Sequence, residues 1–384
     1  MSTSHPPIAE PLERCVRCVL PNTHGGFEFN SNGVCRLCQE AELRPPNDAA
    51  ARAARRARLE ASLEELRRRG KGRDFDCVVG ISGGRDSTYL LHQLVRKHHL
   101  RCLAAYYRTP FTVDEVDANV QRLVKNLNVQ MVPMDIDQRY HAQKARELVL
   151  LWNRKPLTVI GNLACAPCKL VNRESHRIAW KYGVKGIVYG GNRYEMFQLS
   201  AGQLKDVDAA EKHSLKTQAL EAWTYVKRGV GMMAKTAAVW KYAPMGFWAA
   251  VLYRSPHTVY LRYRYPGIYH MEYFYEAEWD EQECRQALKD VGWIRPPNCF
   301  SDWKADCSFG EWKNYMYVNT HGVHYVEALL SNLVRDGALT REEALRRLAV
   351  EGQPSDGRWK DVERVLGLSR EEMTRYQRVD GPTV

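Results

Sequence analysis

The hydrophobic positions in the first half of the chain alternate between short apolar runs and stretches with helical spacing. Phe75 to Ile81 is a short apolar run typical of a buried parallel strand, and apolar side chains then recur at helical spacing over residues 87–97. Two further strands are predicted over 101–107 and 129–134, with a helix over 114–127 between them. This alternation predicts the α/β class with a doubly wound parallel sheet.

The pattern extends on both sides of this region. Residues 169–182 have helical spacing, and Lys185 to Tyr189 predicts another strand. Ahead of the sheet, Asn47 or Asp48 is placed to cap an alanine- and arginine-rich helix that runs to about Arg69. The first half of the chain is therefore predicted to hold at least four strands.

A glycine-rich loop, Ser82-Gly-Gly-Arg-Asp-Ser87, separates the first predicted strand from the helix that follows it. Two glycines let backbone N–H groups approach phosphate oxygens, and the helix start adds partial positive charge. The two serine hydroxyls add donors. Because a carboxylate repels phosphate unless a cation lies between them, Asp86 is expected to bind Mg²⁺. The loop predicts a phosphate site, although it lacks the Gly-Lys-Ser/Thr ending of a Walker A motif.

The loop resembles that of the PP-loop ATP pyrophosphatases, which split ATP to AMP and pyrophosphate and activate a carbonyl or amide oxygen as an adenylate. A nitrogen or sulfur nucleophile then displaces AMP. The resemblance implies that five loop residues hold the pyrophosphate end of ATP: Ser82, Gly83, Gly84, Asp86 and Ser87. It implies that the strand end around Tyr106 faces adenine, and that Gly190 and Asn192 approach AMP and the substrate, at the carboxyl ends of parallel strands.

Six of the eleven cysteines form C-x-x-C pairs, and no signal peptide is predicted, which together argue against a disulfide scaffold. The first two pairs are separated by sixteen residues, and turn residues lie between them. That spacing predicts a closed, four-cysteine structural zinc site, with a redox metal as the alternative. The four predicted ligands are Cys15, Cys18, Cys35 and Cys38.

The third pair, Cys165-Ala-Pro-Cys168, lies in the sheet region just before a predicted helix, whose N-terminus lowers a thiol pKa. Two ligands cannot close a metal site, so a third thiolate is expected; Cys307 is the first choice and Cys299 the second. Three thiolates leave one position open, which suits an iron–sulfur cluster that binds a labile sulfide, or a catalytic zinc. A disulfide or a purely structural pair is the alternative.

Three segments resemble the N-acetyl sugar amidotransferase family: residues 15–23, residues 32–38, and residues 337–345 near the end. The resemblance implies ATP-dependent conversion of an acetamido group on a small, sugar-like substrate to an amidine-type group. Ammonia would come from a separate glutaminase subunit, because nothing in this chain resembles a glutaminase nucleophile.

The Cys165/Cys168 pair departs from that pattern and is closer to the sulfur-inserting PP-loop enzymes, such as the transfer-RNA thiolation enzymes. The second hypothesis is therefore a sulfurtransferase that acts on tRNA or on a metabolite and uses a sulfur donor. A third hypothesis is a non-catalytic protein that binds nucleic acid or a protein partner; the complete loop with Asp86 counts against it.

The formal charge of +11 favours an anionic partner, such as nucleic acid, a nucleotide-linked sugar or an acidic protein surface. The arginine-rich run over residues 52–73 is equally well interpreted as a solvated helix face. The most apolar later stretch, residues 245–253, is too short to cross a bilayer, which needs about 20 residues. A cytoplasmic protein without membrane contact is expected.

Two capping-box patterns, Thr340-Arg-Glu-Glu343 and Ser369-Arg-Glu-Glu372, predict helices near the end of the chain. We expect six segments in all: a flexible N-terminus (1–13), a four-cysteine zinc module (14–44), a basic linker helix (45–72), a PP-loop ATP-binding α/β domain (73–200), a helical, aromatic insertion or lid (201–280) and a helical C-terminal region (281–384).

Overall fold

The computed structural model describes residues 13–22, 28–43, 49–191 and 237–376, together with residues 194, 223, 227 and 231. Its centre is a parallel five-stranded sheet in the order β3-β2-β1-β4-β5. The strands are β1 (Cys77–Ile81), β2 (Cys102–Tyr106), β3 (Met131–Pro133), β4 (Gly186–Tyr189) and β5 (Tyr269–Glu272). The doubly wound parallel sheet predicted from the sequence is confirmed.

The order of the strands reverses between β1 and β4. Strands β2 and β3 are added on one side of β1, whereas β4 and β5 are added on the other, so that Val78 lies between Leu103 and Ile187. A crevice opens at the carboxyl ends of the strands at such a reversal, and ligands of doubly wound sheets bind there. The glycine-rich loop follows β1 and Gly190 follows β4, so both lie at this crevice.

Helices cover both faces of the sheet. The helices of the first half are α1 (Arg36–Glu42), α2 (Ala49–Gly70), α3 (Arg85–His92), α4 (Asp114–Leu127), α5 (Gln138–Arg154), α6 (Thr158–Leu163) and α7 (Leu170–Lys181). The later ones span Ala243–Phe247, Val259–Arg264, Tyr273–Glu276, Glu281–Asp290, Gly310–His321, Tyr325–Arg335, Arg341–Glu351, Asp356–Leu366 and Arg370–Met373. No helix in the described part of the chain is long and apolar enough to cross a bilayer.

An apolar core lies on each face of the sheet, because successive side chains along a strand point to opposite faces. Val79 of β1 packs with Leu63 of α2 and Leu90 of α3 on one face. Its neighbour Val78 packs with Ile178 of α7 on the other face. Both faces are covered, which explains why the strands are short apolar runs instead of alternating patterns.

Most predicted elements agree with the structure within a few residues, including the arginine-rich helix, which spans Ala49–Gly70. Four elements were not predicted: the helices α1, α5 and α6, and the edge strand β5, which lies in a tyrosine-rich stretch where helix was expected. Most of residues 201–236 lies outside the described residues, and the insertion or lid expected there stays a prediction.

The N-terminal cysteine module packs against the C-terminal helical region. Arg14 Nη1 lies 2.7 Å from Glu327 Oε1, and Arg341 Nε donates to the carbonyl oxygens of Cys15 and Cys18 at 3.1 Å. The backbone N–H of Val19 donates to Ser331 Oγ at 3.2 Å. These contacts bring the two ends of the described chain together.

Both predicted C-terminal caps are present. Ser369 accepts from the backbone N–H of Glu372, whose carboxylate accepts in return from the N–H of Ser369, which is a complete capping box. Thr340 accepts from the N–H of Glu343 at 3.2 Å, which is the first half of the same pattern.

Candidate active site

The loop after β1 has a backbone conformation that only glycine adopts without strain. Gly83 has a φ of +79° and packs so closely against α4 that a Cβ would lie 2.7 Å from Val116 O. The indole N–H of Trp293 donates to Gly83 O at 3.0 Å. Any side chain at Gly83 would push the loop away from α4, so the predicted need for glycine has a clear steric cause.

The two serine side chains hold the loop closed on itself. Ser82 Oγ and Ser87 Oγ are 3.2 Å apart, and the backbone N–H of Ser82 donates to Ser87 Oγ at 3.2 Å. Gly84 is the N-cap of α3 and makes no side-chain capping bond. The first N–H groups of α3 therefore open toward the crevice, where anions are favoured.

Arg85, the variable position of the motif, proves to be a central part of the site. Its guanidinium is 3% exposed, lies 3.4 Å from the ring centroid of Trp303 and 4.9 Å from that of Trp279, and is therefore held by cation–π contacts. Its Nε donates to Asp86 Oδ1 at 2.9 Å. Arg85 thus orients the carboxylate that the sequence assigned to Mg²⁺. No local pattern indicated this role, because both tryptophans are distant in sequence.

The segment that carries Cys307 lies against the phosphate loop. The side chain of Asp306 is so close to Gly84 that a Cβ on that glycine would lie 3.1 Å from Asp306 Cγ. The N–H and Oγ of Ser308 both donate to Phe111 O at 3.1 Å. These contacts place residues 303–308 over the start of α3.

The structure brings Cys307 to the Cys165/Cys168 pair, and all three residues are partly exposed. Burial raises the pKa of the Cys168 thiol well above its usual value, and the nearby thiols of Cys165 and Cys307 raise it further. Burial also raises the pKa of Cys307 to about 12, with Asp306 and Cys165 adding to the shift. Cys307 therefore interacts electrostatically with Cys165 and Cys168, although it is distant from them in sequence.

The spacing of these three thiols differs from that of the N-terminal cysteines. Among the described residues, only the N-terminal four form a metal-ligand group whose ligand atoms all lie within 4.8 Å of one another. Cys165, Cys168 and Cys307 are more widely spread than a single tetrahedral ion requires. A cluster binds each thiolate to a different iron, and therefore needs a wider spacing of its ligands than a single ion does.

Cys299, the second choice for the third ligand, is engaged elsewhere. Its Sγ accepts from Arg358 Nη1 at 2.6 Å. The same guanidinium donates from Nη2 to the carbonyl oxygens of Lys304 and Cys307. Cys299 thus belongs to the contacts that position the segment bearing Cys307.

The structure describes two of the three residues that are expected to contact the nucleotide from the other strands. The Tyr106 side chain is buried, and its hydroxyl donates to Asp117 Oδ1 at 2.5 Å. Gly190 follows β4 and packs so closely on α3 that a Cβ would lie 3.0 Å from Leu90 Cδ2. Asn192 lies outside the described residues. The assignment of adenine and AMP contacts to these positions stays a prediction.

The four N-terminal thiols fit a tetrahedral metal ion. All four side chains are buried, with Cys15 Sγ 3.9 Å from Cys38 Sγ and Cys18 Sγ 3.7 Å from Cys35 Sγ. A Zn–S bond of about 2.3 Å places tetrahedral thiolates about 3.8 Å apart, which matches these distances. The module is thus a closed four-cysteine site, and zinc suits its donor set.

The surroundings of this module satisfy the thiolates. The backbone N–H of Cys35 donates to Cys15 Sγ at 3.3 Å, and Arg335 Nη1 donates to Cys18 Sγ at 3.5 Å. Hydrogen bonds from an outer shell orient ligands and offset their charge. Since all four positions are thiols, one ion bound by all four would have no open position for a substrate.

The buried side chain of His141 makes the stability of the protein depend on pH. His141 is 1% exposed, its Nδ1 lies 2.8 Å from Tyr107 Oη, and burial lowers its pKa to about 4. The unfolded chain binds this proton near pH 6.5, so stability is lost as pH falls from 6.5 toward 4. Between pH 7 and pH 5 we expect His141 to lower the free energy of unfolding by about 2 kcal/mol.

Denaturant unfolding at both pH values tests this expectation. The variant His141→Gln should be less stable at pH 7 but should show a smaller decrease at pH 5 than the wild type. The control His99→Gln, at an exposed position, should keep the full decrease. An identical pH dependence in His141→Gln and in the wild type would contradict the assignment.

Fold and site together define an α/β protein with a parallel sheet, a glycine-rich loop at the reversal of strand order and an N-terminal four-cysteine module. No protein-family model matches the chain, and no curated protein matches it. A structure of NMN synthetase from Francisella tularensis is similar over 85% of this chain and 98% of that one, with 13% identity and a TM-score of 0.35. A U34-tRNA thiolase from Methanococcus maripaludis with its [4Fe-4S] cluster is similar over 73% of each chain, with 11% identity and a TM-score of 0.29. Likeness of this size carries no inference about function, so the chemistry must be argued from the site itself.

Proposed function

We propose that this chain is an ATP-dependent transferase of the PP-loop type, which adenylates an oxygen of its substrate and then replaces that oxygen. The observation that supports the proposal is the phosphate loop at the strand-order reversal, with the three-thiol segment packed on it through Asp306. The loop gives ATP a place to bind, and the thiols give the second half of the reaction a reactive centre next to it.

In the first half-reaction the carbonyl or amide oxygen attacks the α-phosphorus of ATP and pyrophosphate leaves. The first N–H groups of α3 would hold the departing pyrophosphate, and Asp86, oriented by Arg85, would hold a Mg²⁺ ion that offsets its charge. In the second half-reaction a nucleophile attacks the activated carbon and AMP leaves with the oxygen. The residues that surround the carbon then decide which atom enters.

Sulfur transfer is the chemistry that the geometry favours. Ammonia transfer needs no metal centre, whereas Cys165, Cys168 and Cys307 gather next to the phosphate loop, each as a partly exposed residue. An iron–sulfur cluster on these three residues would supply an open coordination position for a labile sulfide. The product would be a thioamide or thiocarbonyl on tRNA or on a metabolite, and the sulfide would come from a separate donor.

Amidotransfer to an N-acetyl sugar is the second candidate, and one structural observation supports it. The segments that resemble the sugar amidotransferase family, at the two ends of the chain, pack against each other through Arg341 and the carbonyl oxygens of Cys15 and Cys18. The two segments therefore belong to one structural unit. In this case a glutaminase partner supplies ammonia, and the three thiols have a structural role.

Metal analysis of anaerobically purified protein separates the two candidates. For sulfur transfer we expect iron in addition to zinc and a broad absorbance near about 400 nm. The variant Cys307→Ser should lose most of the iron and the absorbance. The matched variant Cys299→Ser should keep both, because that thiol is held by Arg358.

A colourless wild-type protein with zinc alone, after reconstitution with iron and sulfide, would reject the cluster and favour amidotransfer. Equal iron loading in Cys307→Ser and in the wild type would reject Cys307 as a ligand. Zinc content should be the same in all three proteins, since the N-terminal module is untouched, and it serves as the folding control.

A further inference from the structure

The edge strand β5 carries polar side chains on a covered face of the sheet. Tyr269 and Met271 point to the face covered by α2, where Tyr269 Oη lies 3.0 Å from Ser62 Oγ. The alternate residues, His270 and Glu272, therefore point to the face covered by α7. Strands covered on both faces normally carry apolar side chains there, so this polar pair needs a reason.

Two histidines from other elements join this pair. His176 of α7 is fully buried, and its Nε2 lies 2.8 Å from His270 Nε2. His257, in the loop before the helix Val259–Arg264, packs its ring 5.1 Å from that of His270 and places Nε2 3.4 Å from Glu272 Oε1. Three imidazoles and one carboxylate thus meet between α7 and the edge strand.

The hydrogen bonds of His176 orient it as a metal ligand. Its Nδ1 lies 2.6 Å from the carbonyl oxygen of Asn172, and because a carbonyl only accepts, Nδ1 carries the proton. In the neutral ring, Nε2 then presents its lone pair toward His270. An Nδ1–H bond to a backbone carbonyl is the common outer-shell arrangement of histidines that bind metal through Nε2.

We propose that His176, His270 and the His257/Glu272 pair form a site for a divalent transition-metal ion that fastens β5 to α7. Imidazole and carboxylate ligands suit Zn²⁺, Co²⁺ or Ni²⁺. A metal–nitrogen bond of about 2.0–2.1 Å places two tetrahedral nitrogens about 3.3 Å apart, so the 2.8 Å pair needs to open by only about 0.5 Å.

The third ligand requires a side-chain rotation. In the present arrangement no three of these four ligand atoms lie within 4.8 Å of one another, because His257 is turned toward Glu272. Rotation of either of these two side chains toward the histidine pair completes a three-ligand site. This site is independent of the proposed transferase activity, since it shares no residue with the loop or the cysteines.

Cobalt titration, under anaerobic conditions, of protein that carries a single zinc ion per chain in its four N-terminal cysteines tests the proposal. We expect one additional Co²⁺ per chain, visible d–d absorbance without the thiolate charge-transfer bands that cysteine ligands produce, and a higher melting temperature. The variants His270→Gln and His176→Gln should each lose this ion and the thermal shift. The control variant His99→Gln, at an exposed position, should keep both.

The variants are first compared without cobalt by circular dichroism and by zinc content, so a folding failure is recognised. A wild type that binds no Co²⁺ beyond its cysteine sites would overturn the proposal, as would Co²⁺ binding that is unchanged in His270→Gln. In either case the four residues are a polar cluster that keeps the sheet edge from pairing with other strands. Loss of pyrophosphate release has no bearing on this result, so the two proposals fail separately.

Discussion

Replacing Asp86 with asparagine is expected to abolish Mg²⁺-dependent binding of ATP and to reduce pyrophosphate release at least ~100-fold. The asparagine side chain keeps an oxygen acceptor for Arg85 Nε, so the loop should keep its shape. What is lost is the negative charge that places Mg²⁺ against the phosphates. Calorimetric titration with ATP, with and without Mg²⁺, measures this directly and needs no knowledge of the acceptor substrate.

The matched control is Asp361→Asn, which removes a carboxylate paired with Arg364 on a peripheral helix. It should bind ATP as the wild type does. If the wild type itself binds no ATP with Mg²⁺, both enzyme hypotheses fail, and the remaining hypothesis is a protein that only binds nucleic acid or a partner. Equal Mg²⁺ dependence in Asp86→Asn and in the wild type would reject the assigned role of Asp86 alone.

The second large effect is expected at the zinc module. Cys35→Ser should release one zinc ion per chain and unfold the module, because metal binding in such sites supplies about 10 kcal/mol or more of folding free energy. Cys35 is fully buried, and its N–H also donates to Cys15 Sγ, so both a ligand and an outer-shell bond are disturbed. Zinc content and limited proteolysis of the N-terminus are the measurements.

The control for this change is Cys284→Ala, a buried cysteine on the helix Glu281–Asp290. It should keep its zinc and lose only about 1 kcal/mol of stability, as expected for a small cavity. A Cys35→Ser protein that retains zinc and the protease resistance of the wild type would contradict the four-thiolate site.

Features that depend on local spacing were accessible from the sequence. The phosphate loop lies in one short stretch, and an apolar strand followed by two glycines suffices to predict it. The N-terminal metal site lies in another short stretch, and its two C-x-x-C pairs suffice to predict it. Cys307 was predicted by a different argument. Two thiols cannot close a metal site, so a third thiolate was expected from a cysteine distant in sequence. The structure places Cys307 near the pair.

Features that depend on long-range packing were not accessible. The position of Arg85 between Trp279 and Trp303 requires the chain to return to the loop after many residues. Strand β5 was missed because four residues, Tyr269 to Glu272, are too few for their alternation to be recognised within a tyrosine-rich stretch. The histidine cluster follows from β5, so it was invisible for the same reason.

The contacts between the two ends of the chain have a consequence for biosynthesis. Arg14, Val19 and Cys15 are translated more than 300 residues before their respective partners Glu327, Ser331 and Arg341. The N-terminal module therefore keeps its docking surface uncovered until these later residues have been made. A nascent chain that stalls before residue 300 would carry the loop without its third thiol, and its uncovered module would mark it for chaperones or proteases.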